Sequence, residues 1–261
     1  MDNIFGEYGG KYAGVDFYFS DTVDNAMREA IIAEVLTMHP CEQRIFKQNN
    51  RRIIYRDAAD RFVVKKYLMP SLKKQLKRRI FGWSECVVHN KIAGLGVDLP
   101  EIFCFFEKRC WGLTRMNGIV LDYIPQSKCL DSTEADLSLP ILRDLYHKGI
   151  YHTDFMQRNI LVDKEGSLQL IDVEGALIVA PYHLPSLIFS LTRYIEETDF
   201  KTDPAAVREF SKKAYDIIAP SGIQLEQWLS AVEILCARHY SRAERKSCIL
   251  PAEVLKILAL N

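Results

Sequence analysis

No stretch of the chain approaches the roughly 20 consecutive apolar residues that a membrane-spanning helix needs, so no spanning segment is expected. No C-x-x-C pair occurs. The seven cysteines (Cys41, Cys86, Cys104, Cys110, Cys129, Cys236 and Cys248) are odd in number and scattered, which argues against zinc or dithiol chemistry and fits reduced cytoplasmic thiols. Net charge is also missing: 34 Lys and Arg balance 34 Asp and Glu, so no overall attraction to nucleic acid is expected. The first residues carry Asp2, Glu7, Asp16, Asp21 and Asp24 but no basic run followed by an apolar one, so a secretory signal is not expected. Internal repeats and low-complexity linkers are absent. What remains is ordinary globular composition, 48% hydrophobic and 26% charged over 261 residues, long enough for one large domain or two packed lobes.

Residues 1–43 start Gly- and Tyr-rich and become helical from about Thr22, with Ala26, Ile31, Val35 and Leu36 on one face, and read as an N-terminal extension. Three β-type runs follow at 44–48, 52–55 and 61–67, separated by Asn49-Asn50 and by Asp57–Asp60, the pattern of an antiparallel meander. Leu72, Leu76 and Ile80 at four-residue spacing suggest a helix, and a second is expected over about Ser84–Ala93, closed by Gly94 and Gly96. Two further strands are expected at 100–103 and 118–124, and Pro125 interrupts the pattern. Beyond Asp131 the periodicity turns helical, over about 134–148, 184–197, 204–218, 224–240 and after Pro251, with Asp203 as a cap and Pro204 at the first helical position. The expected class is α+β and bilobal, with a small antiparallel β-rich N-lobe over 44–125 and a larger α-helical C-lobe over 126–261.

Residues 145–175 read LYHKGIYHTDFMQRNILVDKEGSLQLIDVEG. His152, Asp154 and Asn159 stand in H-x-D-x-x-x-x-N spacing, and Asp172-Val173-Glu174-Gly175 follows. Ile160–Val162 and Leu168–Ile171 predict a hairpin across Asp163–Gly166, which brings Asn159 and Asp172 to its two open ends. This pattern resembles the catalytic loop H-R-D-L-x-x-x-N and the D-F-G loop of protein kinases. Phosphoryl transfer demands positioning and charge neutralisation: one carboxylate faces the attacking hydroxyl, while an amide and a second carboxylate hold the metal on the phosphates. The resemblance therefore implies Asp154 as the group that orients or deprotonates the acceptor. It implies Asn159 and Asp172 as Mg²⁺ ligands, with His152 a structural support of the loop. Thr153 stands where the loop usually has Arg, Val173-Glu174 replaces the Phe, and no A-P-E follows.

The resemblance extends upstream. Phe62-Val63-Val64-Lys65 looks like the V-A-I-K strand of kinases, which implies Lys65 on the ATP α- and β-phosphates, with Lys66 the alternative if the register shifts by one. Glu85 reads two ways: as the helical carboxylate that pairs with Lys65, or as a first-turn acid behind a Ser84 cap. Val120–Ile124 is similar to the kinase hinge strand, which implies that the Asp122 carbonyl and Ile124 amide contact adenine. No glycine occurs in Gln48-Asn49-Asn50-Arg51, where the Gly-rich loop belongs; left-handed Asn is expected to make the turn, and Arg51 or Arg52 to supply charge.

Seven of the fifteen residues from Lys65 to Arg79 are basic and none is acidic, a segment suited to an anionic surface. With the short C-lobe and the absent peptide-docking elements, the chain resembles bacterial lipopolysaccharide core kinases, which phosphorylate heptose or Kdo. That resemblance implies ATP and Mg²⁺ as cofactors and an anionic glycolipid or sugar as acceptor. It also implies a cytoplasmic protein with peripheral contact at the inner membrane face through residues 65–80. A compact, effector-like protein Ser/Thr kinase and a catalytically impaired pseudokinase acting as a binding module are the alternatives.

Overall fold

Between Glu7 and Asp122, alternating inward and outward side chains build one antiparallel sheet. In this computed structural model, residues 7–37, 40–69, 81–238 and 240–259 are described. The sheet contains strands β1 (Glu7–Tyr12), β2 (Val15–Phe19), β3 (Ile45–Gln48), β4 (Arg52–Arg56), β5 (Phe62–Leu68), β6 (Ile102–Cys110) and β7 (Leu113–Asp122). Their order is β1-β2-β6-β7-β5-β4-β3, so the expected meander β3-β4-β5 lies at one edge. Residues 7–36, read from sequence as an extension, are built into the same unit, which comprises the chain up to Ala93 together with Leu99–Pro125.

Each face of the sheet has its own helix. Phe62 and Val64 of β5 point with Phe17, Phe19, Phe106 and Val120 toward helix α1 (Asn25–Leu36), whose Ile31 and Val35 complete an apolar core. The opposite face carries Ile102, Phe105, Ile119 and Leu121 against Cys86 of helix α2 (Phe81–Gly94). Burying rows of large side chains on both faces is what makes the sheet's register unambiguous, because a one-residue slip would exchange the two cores. Helix α2 crosses the sheet closely. Gly82 lies against Gly118 of β7, and a side chain at Gly118 would strike the Lys65 carbonyl and the Phe106 ring.

The second unit comprises Gly94–Asp98 and the chain from Gln126 onward. It is mainly helical: α3 (Ser138–Lys148), α4 (Leu184–Ile195), α5 (Pro204–Ile218) and α6 (Leu225–Cys236), with short helices α7 (Arg242–Ser247) and α8 (Ala252–Ile257). Asp203 caps α5 as expected, accepting from the Ala205 and Ala206 amides at 2.9 and 3.3 Å. Two small sheets sit among the helices, β11-β10-β8 and β12-β9, made of β8 (Lys128–Cys129), β9 (Ile150–Tyr151), β10 (Ile160–Val162), β11 (Leu168–Leu170) and β12 (Leu177–Ile178). A β-rich antiparallel unit followed by a helical one is the α+β arrangement expected from sequence. No helix among the described residues is long and apolar enough to cross a membrane. The expected helix at 72–80 and most of the basic cluster lie outside the described residues.

Candidate active site

In the first unit, Lys65 and Lys66 take opposite faces of β5. The Lys65 ammonium meets Glu85 Oε1 at 2.7 Å, whereas Lys66 Nζ donates to the carbonyls of Val35 and Thr37 at 2.9 and 3.2 Å, closing the C-terminal end of α1. Helix ends leave unsatisfied carbonyls, and a buried ammonium is an effective partner for them. Burial lowers the Lys66 pKa below its ordinary value, with Glu34 opposing the shift. These two lysines therefore add nothing to an exposed basic patch, contrary to their place in the expected cluster. Residues 81–83 are already helical, so Ser84 is not a cap, and Glu85 sits inside the helix as the partner of Lys65.

Tyr67 completes this half. It follows Lys65 by two residues, shares its face, and donates its hydroxyl to Glu85 Oε2 at 2.5 Å. Both carboxylate oxygens of Glu85 are thus held, and the carboxylate is 2% exposed. Asp122 ends β7, with its amide donating to the Glu101 carbonyl at 2.8 Å, and Ile124 follows just beyond. The turn at 48–51 is made otherwise than expected. None of its residues has a left-handed backbone. Asn49 Oδ1 instead accepts from the Arg51 and Arg52 amides at 2.8 and 3.0 Å, so those amides are engaged by a side chain.

In the second unit, Gly149 ends α3 in the left-handed conformation, φ 68°, and turns the chain into β9. A Cβ there would press on Val179 and Pro181, which return beside it. The loop after β9 is pinned at nearly every side chain. Tyr151 donates its hydroxyl to the Arg245 carbonyl at 3.0 Å, and Phe155 is fully buried with its ring 5.6 Å from that of Tyr194. Thr153, in the place of the usual Arg, donates to the Gly175 carbonyl at 2.9 Å and so ties this loop to the one that starts at Asp172. His152 is fully buried, and the Ile171 backbone approaches its ring outside good hydrogen-bonding geometry. Burial lowers its pKa, outweighing the Asp172 and Asp154 carboxylates near it.

The predicted hairpin forms, with Ile160 opposite Leu170 and Val162 opposite Leu168. Asp163 Oδ1 accepts from the Glu165 and Ser167 amides to close its turn. At the open ends, the Ile171 amide donates to the Asn159 carbonyl at 2.8 Å. Asn159 Nδ2 donates to the Asp154 carbonyl at 2.8 Å, so the amide oxygen, a hard donor, is the atom that could hold a metal. Asp172 holds a left-handed backbone, φ 59° and ψ 49°, a conformation that Asp tolerates better than most residues. An amide oxygen plus one carboxylate is the donor set that suits Mg²⁺ shared with phosphates. The described residues hold no group of three or more His, Cys, Asp or Glu side chains that would bind an ion alone.

Asp154 faces outward, its side chain 42% exposed, with Oδ1 3.6 Å from Arg193 Nε of α4. Sequence reasoning missed Arg193, Tyr67 and the role of Thr153.

No family model matches the chain, and no curated protein matches its sequence. Among solved structures, WaaP in complex with acyl carrier protein superposes with a TM-score of 0.54 at 13% identity, covering 86% of this chain and 94% of that one. The chain has a protein-kinase-like fold. Structures of WbdD, described as a bifunctional kinase-methyltransferase, also match at 17% identity; one has a TM-score of 0.45 and covers 81% of this chain and 49% of its own. Within the kinase-like fold, Lys65 and Glu85 occupy one unit, and Asp154, Asn159 and Asp172 the other.

Proposed function

We propose that this protein is an ATP-dependent phosphotransferase whose acceptor is a sugar hydroxyl, on heptose or Kdo of the lipopolysaccharide core. The observation that carries the reading is the Lys65–Glu85 ion pair, 2.7 Å long and nearly dry, because a lysine held this way is what kinases use to fix the ATP phosphates. Mg²⁺, bound through Asn159 and Asp172, supplies neutralisation of phosphate charge. The chain's own residues do the rest. Lys65 binds the α- and β-phosphates, the Asp122 carbonyl and Ile124 amide take the adenine edge, and Asp154 orients the acceptor hydroxyl. The bond from the γ-phosphorus to the β–γ bridging oxygen breaks, its electron pair leaving with ADP. A bond forms from that phosphorus to the acceptor oxygen, whose proton passes to Asp154.

The sugar acceptor rests on the fold shared with WaaP, a lipopolysaccharide core heptose kinase, and on the missing A-P-E element that serves peptide docking in protein kinases. Action at the inner membrane face, helped by Lys73, Lys74, Lys77, Arg78 and Arg79 of the basic segment, belongs to the same proposal. Retention of Lys65, Glu85, Asp154, Asn159 and Asp172 together disfavours a pseudokinase.

Incubation with γ-labelled ATP, Mg²⁺ and purified core glycolipid should label the glycolipid. Asp154→Ala should abolish transfer while leaving ATP binding nearly unchanged, and Lys65→Ala should impair both. Label entering a general protein substrate but not the glycolipid would move the protein to the protein-kinase class. Full activity in Asp154→Ala would end the phosphotransfer reading.

A further inference from the structure

Arg193 stands in the last turn of α4, with its side chain 13% exposed and surrounded by acids. Its Nη1 meets Glu196 Oε2 at 3.0 Å and Glu197 Oε1 at 2.8 Å. Glu196 Oε2 is shared with Arg245 Nη1 at 2.6 Å, and the Arg245 carbonyl accepts from Tyr151, three residues before Asp154. The far end of the guanidinium is therefore fixed by two carboxylates and, through them, by the segment that leads into the catalytic loop.

The near end is different. Arg193 Nε is buried and makes no hydrogen bond among the described residues, yet it points at Asp154 Oδ1 from 3.6 Å. A buried donor without an acceptor is costly to keep, and the large majority of such groups are satisfied. Catalytic hydrogen bonds are often long in the absence of substrate and tighten only in the reacting complex. Position 153, the usual site of the loop arginine, holds Thr153, whose hydroxyl is committed to Gly175. The guanidinium beside the acceptor-orienting carboxylate thus comes from a separate helix.

We propose that Arg193 is a positioning residue for Asp154: its Nε–H closes onto the Asp154 carboxylate when the acceptor binds and fixes the rotamer in which that carboxylate receives the hydroxyl proton. This rests on the phosphotransfer reading of Asp154 given above. Glu196 and Glu197 hold the guanidinium in place, so that closing the 3.6 Å gap requires only a turn of the exposed Asp154 side chain.

The test separates the Nε donor from the positive charge. Arg193→Lys keeps a cation for Glu196 and Glu197 but has no Nε–H. ADP release is measured with Mg²⁺-ATP and core glycolipid; because it counts transfer to glycolipid and to water alike, the identity of the acceptor does not decide the outcome. Arg193→Lys should melt near the wild-type temperature, keep its KM for ATP, and lose about tenfold or more in kcat. In an Asp154→Asn background the same substitution should cause no further loss, because a residue acting through Asp154 has nothing left to position. An unchanged kcat in Arg193→Lys overturns the proposal, as does an equal fall in both backgrounds. Wild-type activity in Asp154→Asn alone would instead overturn the phosphotransfer reading. Arg193→Met is the second variant: guanidinium ion added in solution should restore part of its kcat, and failure to do so in a folded variant counts against the proposal.

Discussion

Lys65 and Lys66 are adjacent on β5, and their ammonium groups bond to different helices on opposite faces of the sheet: Lys65 to Glu85 of α2, Lys66 to the carbonyls that end α1. The alternation of a strand makes this division unavoidable. Replacing them separately should tell loss of turnover from loss of stability alone. Lys65→Met should lose most ATP turnover per folded molecule and should also melt lower, because it leaves the buried Glu85 carboxylate without its cation. Lys66→Met should retain turnover per folded molecule but lose about 1–3 kcal/mol, since helix carbonyls are left buried without a donor. ADP-release kinetics and thermal unfolding of the two variants check both halves.

Tyr67 holds the second oxygen of Glu85, at 2.5 Å, and so limits how that carboxylate rotates against Lys65. Tyr67→Phe removes one hydrogen bond from a buried charge, an interaction of about 1.5–3 kcal/mol. The expected result is a higher KM for ATP and a lower kcat in a protein that still folds. Calorimetric titration with a non-hydrolysable ATP analogue would report the binding part directly.

Gly118 permits the close packing of β7 against β5 and the Phe106 ring, because any side chain there meets the Lys65 carbonyl and Phe106. Gly118→Ala should therefore cost about 1–3 kcal/mol through overpacking. It should also weaken ATP binding, since relieving the clash shifts the backbone of Lys65 itself. Gly94→Ala, with nothing for the new Cβ to strike and no left-handed backbone, is the control for the glycine-to-alanine change alone.

Two buried histidines make the fold acid-sensitive in a defined direction. Burial lowers the pKa of His152, and also that of His89, whose Nε2 bonds to the Pro100 carbonyl at 2.8 Å. The unfolded chain then takes up these protons first as pH falls below about 6.5. Their stability contribution is complete above that value and is lost as pH falls toward each lowered folded-state value. Melting temperature should drop between about pH 7 and pH 5.5, and His89→Gln, which keeps a side-chain donor toward Pro100, should flatten the drop.

The parts of the site that sequence reasoning reached are those whose geometry is local. The H-x-D-x-x-x-x-N spacing and the hairpin of 160–170 bring Asn159 and Asp172 together through one short turn, and period-two alternation separates Lys65 from Lys66. The same alternation, applied two residues further, would have put Tyr67 beside Glu85. It was also visible in Val15, Phe17 and Phe19, but the glycines of β1 and the tyrosines around it concealed a strand pair. Arg193 had no such signal. It lies on an amphipathic helix whose rotation relative to the catalytic loop is set by packing of Phe155 and Tyr194, information carried by tertiary contacts alone. The turn at 48–51 departs from expectation because Asn49 acts through its carboxamide and not through a left-handed backbone.

Helix α1 and the β1–β2 pair set a lower limit on how short this protein can be made. A chain starting at residue 44 would leave Phe62, Val64, Phe106 and Val120 facing water and would deprive the Lys66 ammonium of both of its carbonyls. An aromatic face and an unpaired cation thus exposed would invite aggregation before any nucleotide bound. Trimming to the apparent catalytic core should accordingly yield insoluble material, and the N-terminal residues are part of what makes the lysine strand foldable at all.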